Sequence, residues 1–191
     1  MKILAGSLAW VLMLITSAAD ANDKVKERAQ RKAFRYFEQV TTLDTIQKAV
    51  VAQNAGYPAG ASRHDVLPDI QLKDKQWRAW VKKEGAKQGF MEAVMGNACA
   101  QRLKLGLVNV HGITEVFVMD KMGATVCTSA PTSDYDQGDE AKWSEVITSG
   151  DTHISEPEMD ASSKRYQLQV SYPIKEHEAI IGVMTIGVKV Y

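Results

Sequence analysis

The stretch from Glu115 to Trp143, EVFVMDKMGATVCTSAPTSDYDQGDEAKW, constrains the fold more than any other part of the chain. Val116–Met119 and Ala124–Thr128 are β-rich runs around Asp-Lys-Met-Gly, whose glycine supplies the positive φ that a tight hairpin needs. The polar run Pro131–Gly138 reads as a loop. Asp139 is then placed to cap a helix through Ile147, with Glu140 near its positive end. Further strand patterns cover His153–Glu156, Arg165–Tyr172 and Ala179–Val190, with turns at Asp160–Ser163 and Lys175–Glu178.

The residues before this sheet have a helical period. Val25, Ala29, Ala33, Phe34, Phe37, Val40, Leu43, Ile46 and Val50 recur at three- and four-residue steps. Thr41 and Thr42 mark a kink or a break, and Gly56, Pro58 and Gly60 end the element. Ala61–Ile70, with Arg63, His64 and Pro68, reads as an irregular connector. A second helical region, Leu72–Lys104, carries Trp77, Trp80, Val81, Phe90, Val94, Ala98 and Leu103 as its buried stripe and is broken or loosened near Gly85, Gly89 and Gly96. Helices followed by strands predict an α+β domain with a mostly antiparallel sheet.

The first 21 residues, MKILAGSLAWVLMLITSAADA, have the parts of a secretory signal peptide: Lys2, an apolar core from Ile3 to Thr16, and Ala19 and Ala21 before Asn22. The apolar run is shorter than the roughly 20 residues of a spanning helix, which favours cleavage over anchoring. The expected product is a single periplasmic domain, residues 22–191, helical over 22–106 and sheet over 107–191, exported without an output module. Lys plus Arg and Asp plus Glu both number 23, so net charge is zero, which argues against a nucleic-acid partner. The two cysteines, Cys99 and Cys127, would in that compartment either form one disulfide, contributing about 3 kcal/mol, or sit apart as two buried small side chains.

With these elements in order, the chain resembles free-standing periplasmic members of the Cache superfamily, the single-Cache or PDC type with a PAS-like sheet. The matching residues are Ala52-Gln-Asn-Ala55, Asp74-Lys-Gln-Trp77, Asn97-Ala-Cys-Ala100, Glu115-Val-Phe-Val-Met-Asp120, Thr132-Ser-Asp-Tyr135 and Gln137-Gly-Asp-Glu-Ala-Lys-Trp143. Gln169-Val-Ser171, Pro173-Ile174, Ile181-Gly182 and Ile186-Gly-Val188 complete the set. The resemblance implies long N-terminal helices across one face of a five-stranded antiparallel sheet and a small-ligand pocket on the other. It covers nearly all of residues 22–191. Two positions depart from the family pattern: Asp136, which would make the pocket more acidic, and Tyr172, which would narrow it. Members of the superfamily bind amino acids, carboxylates, amines or purines, so the ligand itself does not follow.

Tyr135, Asp134 and Asp136 form the leading candidate site, where a phenol and carboxylates would grip an amine-bearing ligand. The bland alternative has Asp134 capping a turn and Tyr135 filling the core. Gln167, Gln169 and Ser171 share one face of a strand, joined by Arg165, and would line the pocket or meet solvent. Asp134, Asp136 and Glu145 have the first, third and twelfth spacing of a calcium loop, but Asp139 stands where its sharp turn needs glycine. Glu156, Glu158 and Asp160 read as a solvated hairpin tip. The histidines, His64, His111, His153 and His177, lack zinc-ligand spacing, and no cofactor motif is present.

The expected function is extracytoplasmic sensing of a small polar metabolite, relayed through a partner such as a membrane receptor or a second copy of the chain. The alternative is a structural or interaction module that binds no ligand and uses its long N-terminal helix. Nothing in the residue pattern demands an enzyme.

Overall fold

The computed structural model describes residues 6–159 and 166–190, with side chains described from residue 21 onward. The expected turn at 160–163, Asp160 itself and Arg165 fall outside the described residues.

Helix α1 (Gly6–Thr41) runs without interruption through Ala21 and Asn22, and α2 (Thr45–Ala55) follows after a short break. Thr41 and Thr42 make the break local, because their hydroxyls bond back to the carbonyls of Phe37 (2.7 Å) and Gln39 (2.6 Å). No helix among the described residues is long and apolar enough to cross a membrane. The second helical region breaks around Gly85 and after Gly96 into α3 (Arg63–Val81), α4 (Gly89–Gly96) and α5 (Ala98–Gly106).

The connector expected over 61–70 is helical instead. Ser62 N–H donates to Asp65 Oδ2 at 2.8 Å, so a capped first turn starts α3 at Arg63. Pro68 lies inside the helix, where the cap and the burial of Val66 and Ile70 outweigh its lost N–H.

The sheet is antiparallel, with β1 (Ile113–Asp120), β2 (Thr125–Thr128), β3 (His153–Ile154), β5 (Tyr166–Glu176) and β6 (Ala179–Lys189) in the order β2-β1-β6-β5-β3. A two-residue strand, β4 (Glu158–Met159), also pairs with β5. Glu158 therefore belongs to the sheet, whereas Glu156 ties back to α1 through Lys26 and Asn22. Strand β5 passes through Pro173, whose one strand partner is Val183 of β6, because β3 stops opposite Ser171. The missing N–H thus falls on an open edge. Helix α6 (Ala141–Ser149) links β2 to β3, and Glu140 takes the N-cap position expected for Asp139.

One sheet face carries Val116, Val118, Leu168, Val170, Met184, Ile186 and Val188, and it packs on Ala29, Ala33, Tyr36 and Val40 of α1 and on Ile46 and Val50 of α2. Tyr172 lies on this face, stacked on Phe37 with centroids 4.8 Å apart and donating its hydroxyl to Gln30 O at 3.1 Å. It therefore narrows nothing on the opposite face. Gly106 lets α5 approach: a Cβ there would meet Val40 Cγ1 at 2.5 Å. Cys99 and Cys127 are joined as a disulfide, which ties α5 to β2 with Cα atoms 5.9 Å apart.

Candidate functional site

The antiparallel register sets Thr128, Phe117, Thr185, Ser171 and His153 in one row across the sheet, on the face away from α1. A neighbouring row holds Glu115, Gly187 and Gln169. On the other side, Met119 and Val183 pack against Trp143 and Val146 of α6. The face therefore grades from apolar under α6 to polar at its far end. Thr128, Thr185 and Ser171 are fully buried, and Glu115 and Gln167 nearly so.

The three strand residues singled out from sequence meet here. Gln167 Nε2 and Gln169 Nε2 both donate to Glu115 Oε1, at 2.7 and 3.0 Å, and Ser171 Oγ bonds Thr185 Oγ1 at 2.8 Å. Gln169 N–H donates to Ser155 Oγ at 2.9 Å. Gly187 makes the crossing between strands possible, since a Cβ there would lie 2.8 Å from both Gln167 Oε1 and Glu115 Cγ.

Two residues of this face were missed in the sequence. Glu115 opens β1 two residues before Phe117, so the strand period alone puts both on one side. Lys142 lies four residues before Val146, on the buried stripe of α6. Its ammonium sits 5.3 Å from the Phe117 ring centroid and 2.9 Å from Glu140 Oε2, and the residue is only 9% exposed. Gln137, on the segment leading into α6, donates Nε2 to Asp134 O at 2.8 Å, while its buried Oε1 has no hydrogen-bond donor among the described residues.

Asp134, Tyr135 and Asp136 lie elsewhere, on a loop folded against α3 and α4. Arg63 NH2 bonds both carboxylate oxygens of Asp136 at 2.9 Å, and the guanidinium also donates to Met122 O and lies over the Trp143 ring. Arg78 Nε lies 2.9 Å from Asp134 Oδ1 and 2.6 Å from Asp74 Oδ2. Asp74 Oδ1 in turn accepts the backbone N–H groups of Tyr135 and Asp136, at 2.8 and 3.1 Å. Tyr135 packs edge-on to Phe90 and beside Trp77, and burial, then Asp120 and Asp136, push its phenol pKa up.

The added acidity expected from Asp136 is thus cancelled by Arg63. Among the described residues no hydrogen bond or ion pair links this loop cluster to Gln167, Gln169 or Ser171. Glu145, the third member of the calcium spacing, pairs instead with His153 Nδ1 at 2.7 Å, and among the described residues no cluster of three or more His, Cys, Asp or Glu is placed to hold a metal ion.

A third polar cluster anchors the hairpin. Asp120 is fully buried and accepts Gln53 Nε2 and Tyr57 Oη, both at 2.6 Å, and the N–H groups of Met122 and Ala124, at 2.8 and 3.0 Å. Burial pushes its carboxyl pKa above the ordinary range, against the pull of those bonds. A groove of about 640 Å³ lies apart from all three clusters, between α1 and β5, and is lined by Phe34, Phe37, Leu43 and Tyr172.

No protein-family model and no curated protein matches the sequence. Among solved structures, the sensory domain of the Campylobacter jejuni chemoreceptor Tlp3 with isoleucine bound is 15% identical with a TM-score of 0.43, over 82% of this chain and 62% of that one. The V. cholerae histidine kinase DctB sensor domain is 12% identical with a TM-score of 0.43, over 93% and 57%. The ligand-binding domain of the Pseudomonas aeruginosa PAO1 amino acid chemoreceptor PctC, in complex with GABA, is 17% identical with a TM-score of 0.40, over 68% and 61%. The chain spans about 60% of the length of these domains. Scores this low leave any statement about ligands to the geometry of the chain itself. The solved structures to which this chain is similar are sensory and ligand-binding domains of chemoreceptors and histidine kinases.

Proposed function

We propose that this protein is an extracytoplasmic sensor domain that binds a small polar metabolite on the sheet face away from α1 and signals through a partner protein. The observation that carries the reading is the chemistry of that face. A sheet needs one apolar face to make a core, and the α1 side supplies it. The other face excludes water yet keeps Glu115, Lys142, Gln167, Gln169, Ser171 and Thr185 around Phe117. Burying charged groups costs several kcal/mol per ion, so a face kept polar and charged is better suited to recognition than to stability. The protein acts by binding rather than turnover.

Residues 1–21 act as the export signal and residues 22–191 form the sensor, with a membrane receptor as the partner that carries the signal onward. The Cys99–Cys127 disulfide fits an oxidising compartment.

The test is a thermal-shift screen of the protein against amino acids, amines, carboxylates and purines, run in parallel on Lys142→Met. A ligand at one hundred times its Kd adds about 2.7 kcal/mol of stability. A saturable shift that disappears in Lys142→Met supports the sensor. A flat response across the panel overturns it and favours the second reading, an interaction module without a ligand. That reading has its own observation: Phe34 and Leu43, 46% and 55% exposed, leave an apolar strip open along the end of α1. It predicts association that grows with protein concentration.

A further inference from the structure

The chain has no net charge, yet one side of α1 is strongly cationic. Arg28, Arg31, Lys32 and Arg35 follow the three- and four-residue steps of a helix, so they project together. They face the loop between α5 and β1, and the two elements enclose a hollow of about 430 Å³ that His111 also lines. A second hollow, of about 220 Å³, adjoins it, shares Arg28 and Lys32, and adds Lys189 from the end of β6. Together they make one furrow with the cations of α1 along one wall and the 109–111 loop and the end of β6 along the others.

Three of its four α1 cations are not spent on acidic neighbours. Arg31 has an exposed carboxylate partner, Glu27, at 3.4 Å. Among the described residues no carboxylate lies within ion-pair distance of Arg28, Lys32 or Arg35, although the chain carries as many acids as bases. Lys32 reaches over the loop that forms the facing wall. Gly112, at φ +80°, brings the loop backbone close enough that a Cβ there would touch Lys32 Nζ at 2.5 Å. Several cations converging on a concave surface with no anion of their own concentrate positive potential there. Guanidinium groups match phosphate oxygens by paired N–H donors, and an ammonium adds a point charge.

We propose that this furrow is a binding site for a phosphate-bearing anion, held by Arg28, Lys32 and Arg35. It is separate from the polar sheet face, which lies on the other side of the sheet from α1. The anion is a free phosphate compound or the headgroup of an acidic phospholipid, and these share the chemistry that the furrow recognises.

The experiment titrates inorganic pyrophosphate into the purified protein by calorimetry and sediments the protein with vesicles of phosphatidylglycerol or, as the neutral control, phosphatidylcholine. Both arms are repeated on Arg28→Gln/Arg35→Gln and on a control pair away from the furrow, Lys75→Gln/Lys121→Gln, with thermal midpoints to show that each variant folds. The expected result is saturable binding in at least one arm, weakened roughly tenfold or more by the furrow variant and unchanged in the control. Pyrophosphate binding assigns a free anion, and phosphatidylglycerol binding without pyrophosphate binding assigns a headgroup. No binding in either arm, binding that survives in the furrow variant, or equal loss in the control overturns the proposal.

Discussion

Arg63 and Asp136 are 73 residues apart in sequence and form a two-pronged pair, with Arg63 NH2 at 2.9 Å from each carboxylate oxygen. The pair is mostly shielded, the side chains being 22% and 10% exposed. Removing one partner leaves the other as an uncompensated charge, so Arg63→Ala is expected to cost about 3 kcal/mol in urea denaturation. Arg63→Met/Asp136→Leu should cost well under the sum of the two single changes. Strict additivity in that cycle would show that the contact contributes nothing.

Asp120 sets a pH dependence of definite sign. Burial raises its carboxyl above the ordinary value of 3.8, so the folded chain holds a proton that the unfolded chain has already lost. Stability from this group is therefore present at low pH and falls as pH rises through the raised folded value. Asp65, lowered by its bonds from Ser62, has the opposite sign: its contribution is present above the ordinary carboxylate value and is lost as pH falls. Asp120→Asn keeps the size of the side chain and removes the titration. Urea unfolding between about pH 4 and pH 7 should show a flatter decline in the variant than in the parent chain. An unchanged slope would mean that Asp120 ionises in the folded state as it does in the unfolded one.

The change of period between Lys104 and Val116 makes the order of helices and strands readable, and the paired threonines locate the break after α1. Pro68 misled because a local breaker was weighed without the Ser62–Asp65 cap that overrides it. Gln167, Gln169 and Ser171 could be read as one face because a strand alternates strictly, and Glu115 was open to the same argument from Phe117. The pairing of Asp136 with Arg63 could not be read, since no local rule links a loop to a helix 73 residues earlier. The arginines that pair with the acidic loop, Arg63 and Arg78, are likewise invisible to any local reading of residues 134–136.

The Cys99–Cys127 bond closes a loop of 28 residues between α5 and β2. Both sulfurs are buried with their residues at 0% exposure, so the bond should resist mild reductant until the chain opens. Replacing both cysteines by alanine is expected to lower stability by about 3 kcal/mol, chiefly by freeing the unfolded chain. Calorimetric midpoints of the two forms check this. Equal midpoints would show that the cross-link restrains nothing that the packing of α5 on β2 does not already restrain.

Lys142 separates a stabilising role from a recognising one. Its ammonium is taken mostly out of water above the Phe117 ring, with Glu140 Oε2 at 2.9 Å as its partner. Methionine keeps an unbranched stem of similar reach and removes the charge, and the partner it leaves, Glu140, is 40% exposed, so no lone carboxylate is left buried. If the lysine serves only the fold, Lys142→Met should lose stability through the broken Glu140 pair, and any ligand response should persist. If it serves recognition, the unliganded variant should match or exceed the parent midpoint, within about 1 kcal/mol, while the ligand-induced shift disappears. The two readouts move in opposite directions under the two roles, so one pair of melting curves, with and without the ligand found in the screen, decides between them. A gain in stability bought by the loss of binding is the signature of a charge kept buried for function.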